Sequence, residues 1–247
     1  MGLKAKKSLL FQKIRKNIST LAAPVCRTLN TRKHRSIAPL NKNIEIDINN
    51  VYGWYRGNRY SQITYPGQIK GGDWSGRITE KNKALKNSSK FRAIVERYEK
   101  GLQWKETELF KKRYRADLDR GKKINGLENL KEIEMYYREY YDKLYMNLKI
   151  NGVIEASKSR PEIAPIYIHI GENGEILYTV DGNHRLYMCM VLGIESIPVR
   201  VWLRHEKWQQ KREILFGEKK TDLQSDLIDK YSTHPDIISE IKINEEY

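Results

Sequence analysis

From Ile44 to Ile48 apolar and acidic positions alternate, with Ile44, Ile46 and Ile48 set against Glu45 and Asp47, the period of a half-buried strand. Val51 to Gly72 is rich in Tyr, Gly and Asn; it reads as turns and short strands and runs into Gly71-Gly72-Asp73-Trp74. The period then becomes helical. Ser89 to Lys100, Glu106 to Arg120 and Glu128 to Ile150 repeat apolar positions at three and four residues, the last through Leu130, Ile133, Tyr137, Tyr140, Tyr141, Leu144, Tyr145 and Leu148. Asn151-Gly152 closes that helix, since glycine accepts the left-handed turn past a helix end.

Beyond Gly152 the pattern predicts a strand at Pro165 to Ile170, a hairpin turn at Gly171 to Gly174 and a partner strand at Ile176 to Val180. Asp181-Gly182-Asn183 interrupts it. His184 to Leu192 is apolar nearly all round and too short to cross a bilayer, which predicts a buried core helix closed by Gly193 and followed by a strand at Ile197 to Leu203. The second strand of the hairpin, this helix and the last strand would form a crossover unit, right-handed if the two strands pair in parallel. Its loop would sit at the carboxyl end of a strand, where such folds place ligands. The expected fold is α+β with an α/β core: a small mixed sheet around the strand-loop-helix-strand unit, a helical insertion and C-terminal helices. Four stretches follow: a basic arm (1–43), an N-terminal strand and helical subdomain (44–126), the core (127–205) and a helical tail (206–247).

Charge changes this picture at one end. The chain of 247 residues carries a formal +15, of which +11 falls before Glu45, the first acid, leaving +4 for everything after it. Within that arm Leu10, Ile14, Ile18, Leu21 and Val25 line one face of a helix that Pro24 should end or kink. A basic amphipathic helix suits an anionic membrane surface, the phosphates of a nucleic acid, or simple packing on the body with its charges in water; spacing leaves all three open. No apolar run approaches the roughly 18 to 20 residues of a membrane span, and the first residues lack a secretory apolar stretch. Cys26 and Cys189 have no ligand spacing, which fits a reducing cytoplasm and argues against structural zinc.

The candidate chemistry lies at Asp181-Gly182-Asn183-His184-Arg185. Gly182 permits a tight turn, the first amides of the following helix point outward, and the helix dipole favours an anion there. Arg185 could add a forked contact to phosphate oxygens and His184 a further donor. The competing reading is an ordinary Asp-Gly turn capped by Asp181 or Asn183, with Arg185 paired on the surface.

The stretch from about Tyr136 to His205, with Asn151-Gly152, Pro165-Ile166-Tyr167-Ile168, Asp181 to Leu186, Leu192-Gly193 and Ile197-Pro198-Val199, resembles the ParB/sulfiredoxin-like superfamily. A longer pattern of Gly71 to Trp74, Arg97-Tyr98, Gly101, Trp104, Thr107, Arg204-His205, Trp208 and His234-Pro235-Asp236 looks like a broader group of uncharacterised ParB-like proteins of archaea, bacteria and their viruses. Sulfiredoxins have a reactive cysteine where this chain has Asn183. Chromosome-partition proteins have paired arginines in the loop and a helix-turn-helix domain after it; here the loop is Asn183-His184-Arg185 and about forty residues follow Arg204, so sequence-reading DNA segregation is not expected. The free-serine kinases of the superfamily hold nucleotide phosphates on a similar loop, with an upstream carboxylate as base.

That resemblance implies a nucleotide-dependent phosphotransferase acting on a small-molecule or glycan hydroxyl. ATP, or else CTP, would be held with Mg2+ by Asp181, Gly182, Asn183, His184 and Arg185, with Gly72 and His205 alongside and Asp181 as the magnesium ligand. Asp73 would be the base, with His184 as its catalytic partner. Each has a plainer reading: Asp73 capping a turn beside a core Trp74, Asp181 bonding its own backbone, His205 structural, and Asp236 opening the final helix. A non-catalytic nucleotide switch and a nucleic-acid-binding protein or nuclease are the other function classes.

Overall fold

A computed structural model describes residues 33–34, 37–38, 42–54, 66–75, 78–81, 83–153, 165–178, 182–217 and 222–245. The amphipathic stretch Leu10 to Val25, Cys26 and the loop residue Asp181 lie outside them. The class is α+β: a mixed sheet with a helical insertion and C-terminal helices. The strands are β1 (Asn43–Asp47), β2 (Val51–Trp54), β3 (Gln68–Lys70), β4 (Ile78–Lys81), β5 (Ile166–Ile170), β6 (Ile176–Tyr178) and β7 (Ser196–His205). The α-helices are α1 (Lys83–Lys86), α2 (Ser89–Tyr98), α3 (Arg115–Asp119), α4 (Leu130–Tyr136), α5 (Lys143–Asn151), α6 (Asn183–Val191), α7 (Glu206–Leu215), α8 (Asp222–Tyr231) and α9 (Pro235–Glu245).

The sheet order is β1-β7-β5-β6-β2-β4, with β3 extending the β1 edge of β7. β1 behaves as its alternation requires, burying Ile44 and Ile46 and exposing Glu45 and Asp47. β5 is central because Ile166, Ile168 and Ile170 are all buried and both its edges are paired, antiparallel to β6 and parallel to β7. That arrangement corrects the expected crossover: β6 and β7 do not pair, since β5 lies between them and β6 runs antiparallel to both. The hairpin turn reverses the chain before α6, so α6 begins at the amino end of the parallel β5–β7 pair. The sheet also draws strands from both sides of residue 126, so that boundary divides the sequence and not the sheet.

α6 is the buried helix expected, with Leu186, Tyr187, Met188 and Cys189 inside. It packs on the sheet and on α2 of the insertion. Two predicted helices are broken by π turns at Leu109–Tyr114 and Tyr137–Asp142. The wide turn lets neighbouring aromatics share a face: Tyr137 and Tyr141 are both buried, whereas Tyr140, expected on that face, is 54% exposed. Asp142 gathers the insertion by accepting from Arg97 Nη2 at 2.7 Å, Tyr98 Oη at 2.9 Å and Trp104 Nε1 at 2.9 Å.

The C-terminal helices are tied into the body by Asp236, which opens α9 as the plainer reading held but is also fully buried. Its carboxylate accepts from Arg204 at 2.6 and 3.1 Å, Arg212 at 2.9 Å and Trp208 Nε1 at 2.9 Å. Burial alone would raise its pKa; Arg204 and Arg212 instead hold it well below the carboxylate range. On the same side Lys33 pairs with Glu206 at 2.6 Å, His34 with Glu213 at 3.1 Å and Lys42 with Glu240 at 3.0 Å, so these residues of the basic stretch are docked on α7 and α9. Among the described residues no helix is long and apolar enough to cross a membrane.

Candidate functional site

At the amino end of β5 the loop before α6 presses against the sheet. Gly182 has φ 85°, and a Cβ there would stand 3.1 Å from the Ile166 Cα, so glycine is needed both for the turn and for the approach. α6 starts with the Leu186 amide donating to the Gly182 carbonyl at 3.0 Å. Asn183 Nδ2 donates to Tyr178 Oη at 3.3 Å, and Tyr187 Oη donates to the same oxygen at 3.2 Å. Arg185 Nη2 donates to the Pro165 carbonyl at 3.1 Å, so part of its fork holds the strand entry.

His184 differs from its neighbours. Its ring lies on Tyr141, centroids 4.1 Å apart at 30°, with Tyr137 edge-on at 6.1 Å. Its Nε2 is buried and has no hydrogen-bond partner among the described residues. Burial, and then the nearby Lys90, push its pKa down to about 3, so the imidazole is neutral at physiological pH. A buried polar atom left unsatisfied in a folded protein calls for a partner such as a water, an ion or a ligand.

The other wall is the first turn of α2. Ser88 stands at its cap without a side-chain bond to the helix amides, and neither this turn nor the first turn of α6 contains an acid. Lys90 is half-buried, and burial followed by the Arg113 charge lowers its pKa. Arg113 Nη1 donates to Ser89 Oγ at 2.9 Å. Phe91 packs edge-on against Tyr187 at 5.7 Å, which joins the two helix starts. Both π turns converge here, with the hydroxyls of Tyr114 and Tyr137 bonded to each other beneath His184, and π turns are frequent at functional sites. The corner therefore offers two helix amino ends, an ammonium, a guanidinium and a neutral imidazole with one free nitrogen, a set suited to an oxyanion.

Asp73, Gly72 and His205 are elsewhere. They border a groove of about 590 Å³ lined by Gly71, Gly72, Asp73, Glu172, His205, Glu206, Lys207 and Gln210. Ile166 is level with Val199 on β7, whereas Lys70 is level with His205, six residues further along the same strand. At about 3.3 Å per residue the two ends are roughly 20 Å apart. This geometry corrects the expected union of Asp73, Gly72 and His205 with the Gly182 to Arg185 loop, because strand adjacency puts them at opposite ends of β7. Both ring nitrogens of His205 are also in use: Nε2 donates to the Gly72 carbonyl at 2.8 Å and Nδ1 accepts from the Lys207 amide at 3.1 Å. Trp74 leans on His169 and His205 and donates Nε1 to the Lys70 carbonyl at 2.9 Å. Asp181 lies outside the described residues. Among those described, no group of three or more His, Cys, Asp or Glu side chains is placed to hold a metal ion. Cys189 is buried, its thiol pushed up to about 12 by desolvation.

Sequence reading passed over Lys90, Arg113 and Tyr141, which come from the helical insertion and meet the loop only through the packing of α2 and α5 against α6. The one available signal was the absence of acids in the first turn of α2. Compared with models of protein families, with curated proteins and with solved structures, the chain matches none.

Proposed function

We propose that this is a ParB-like, nucleotide-dependent phosphotransferase of the cytoplasm, whose phosphate grip is the start of α6. The single observation that carries the reading is the buried, partnerless Nε2 of His184 at a helix amino end. In its neutral form with the proton on Nε2, His184 donates to a phosphate oxygen, Gly182 brings the backbone amides of Asn183 and His184 close, and the positive charge of Arg185 offsets that of the phosphate. Phosphoryl transfer needs mainly positioning and charge neutralisation. The terminal phosphoryl group passes to an acceptor hydroxyl, the diphosphate leaves, and the hydroxyl proton goes to a carboxylate or to water. Asp73 is too distant to be that carboxylate; Asp181, next to Gly182 in sequence, takes its place in the proposal. Magnesium would bridge the phosphates.

Thermal unfolding with magnesium-ATP or magnesium-CTP tests the grip. Ligand at 100 times its Kd raises stability by about 2.7 kcal/mol. The expected result is a rise in Tm with at least one nucleotide that disappears in His184→Gln. No rise with any nucleotide at millimolar concentration removes the reading.

A further inference from the structure

We propose that the helical insertion completes the phosphate site, with Lys90, flanked by Arg113, contacting the ligand's phosphate oxygens across from His184. This rests on the reading of the α6 loop given above and adds to it a residue outside the loop and outside the stretch from about Tyr136 to His205.

Lys90 is half-buried at the start of α2 and, among the described residues, has neither an ion pair nor a hydrogen-bond partner. The charge beside it, Arg113, is of its own sign and bonds Ser89 Oγ at 2.9 Å with one of its five N–H groups, while the neutral His184 ring, whose basicity burial and then Lys90 depress, lies on the helix packed against this one. The acids near Arg113 are already engaged, Glu108 with Arg92 and Lys112, and Asp117 with Lys122. A partly buried ammonium beside a second cation and a partnerless imidazole is unfavourable in the empty protein. One dianion between them relieves all three at once: it gives the ammonium a counter-charge, accepts from His184 Nε2 and draws on the other donors of Arg113. A tetrahedral phosphate, with oxygens diverging in several directions, fits donors that arrive from two separate helices better than a planar carboxylate does. The phosphate of an ester or anhydride is therefore the ligand class.

Calorimetric titration of the full chain with pyrophosphate, and with ATP, provides the test. Lys90→Met should weaken pyrophosphate binding about 10- to 100-fold, the loss expected for one charge-assisted contact. Lys90→Arg should restore part of it, and the Tm without ligand should be unchanged or higher, because an unfavourable charge is gone. A Lys90→Met variant that binds as tightly as wild type, while His184→Gln binds weakly, overturns this inference and leaves the loop reading intact. Wild-type protein that binds neither ligand, or a His184→Gln variant that binds as well as wild type, overturns the loop reading and this inference with it. Amine acylation of the wild-type chain near neutral pH, read by peptide mass, needs no variant. Lys90 should react ahead of surface lysines and be protected by pyrophosphate, and unchanged labelling under saturating ligand overturns the assignment.

Discussion

Two histidines hold two corners of the molecule in the same way. His205 Nδ1 accepts from the Lys207 amide and its Nε2 donates to the Gly72 carbonyl; His234 Nδ1 accepts from the Asp236 amide and its Nε2 donates to the Gly174 carbonyl. Each ring caps a helix and ties it to a glycine of positive φ, which fixes the tautomer with the proton on Nε2. Replacing either by alanine should cost about 1–2 kcal/mol, as for other lost caps. Asp236 is the larger case. Asp236→Ala leaves Arg204 buried without its counter-charge and Arg212 with only its contact to Glu240 at 3.4 Å, and should cost about 3–5 kcal/mol in urea unfolding; a loss under 1 kcal/mol would show that the ion cluster is dispensable. The pH dependence separates these groups. His184 and His234 have depressed pKa values in the folded state, so between about 6.5 and the folded value the unfolded chain binds protons that the folded one refuses. Stability should therefore fall as pH drops from about 6.5 toward 4.5, and His184→Gln should flatten that slope. The Asp236 contribution is present above about pH 4 and is lost only below it.

At the scale of elements, the ends and the alternation were legible. Gly152 and Gly193 close their helices at φ 65° and 69°, and β1, β5 and β7 stand where their apolar residues put them. The π turns were not legible, because a three-and-four spacing of aromatics fits an α-helix equally well until Tyr114, Tyr137 and His184 must pack together. Glycines give an ordered test of what packing adds to local conformation. Gly152→Ala meets nothing within 4 Å and should cost only the backbone strain of φ 65° with ψ −160°, a region essentially reserved for glycine, about 1–3 kcal/mol. Gly174→Ala would bring a Cβ to 2.8 Å from the Trp208 ring and 3.2 Å from His234 Nε2, adding about 1–3 kcal/mol of overpacking. Equal losses for the two variants would mean that the Trp208 contact yields freely. Most residues of the longer ParB-like pattern are accounted for by structure at this scale. Arg97, Tyr98 and Trp104 meet on Asp142, and Arg204, Trp208 and His234 meet on Asp236, so that pattern marks two buried hubs more than it marks a catalytic centre.

For the whole molecule, the concentration of charge before Glu45 sets a separate question from the α6 corner. Lys33 and Lys42 are paired with Glu206 and Glu240, which leaves Arg35 and the cations before residue 33 as the candidates for a polyanion, most of that charge lying before residue 33. Removing residues 1–32 should abolish salt-sensitive binding to nucleic acid or to anionic vesicles and leave nucleotide-induced stabilisation unchanged. Persistent binding in the truncated chain would assign that affinity to the folded body. The sequence by itself determined the class of fold, most strand and helix positions, the need for glycine at 182 and the segregation of charge, because each follows from local period, local conformation or simple counting. Only the tertiary structure decided that β5 separates β6 from β7, that Asp73 and His205 stand at the far end of β7 from His184, and that the helix of Lys90 packs against the helix of His184. Strand order and helix docking are set by contacts between residues distant in the chain, and no local period encodes which edge a strand will take.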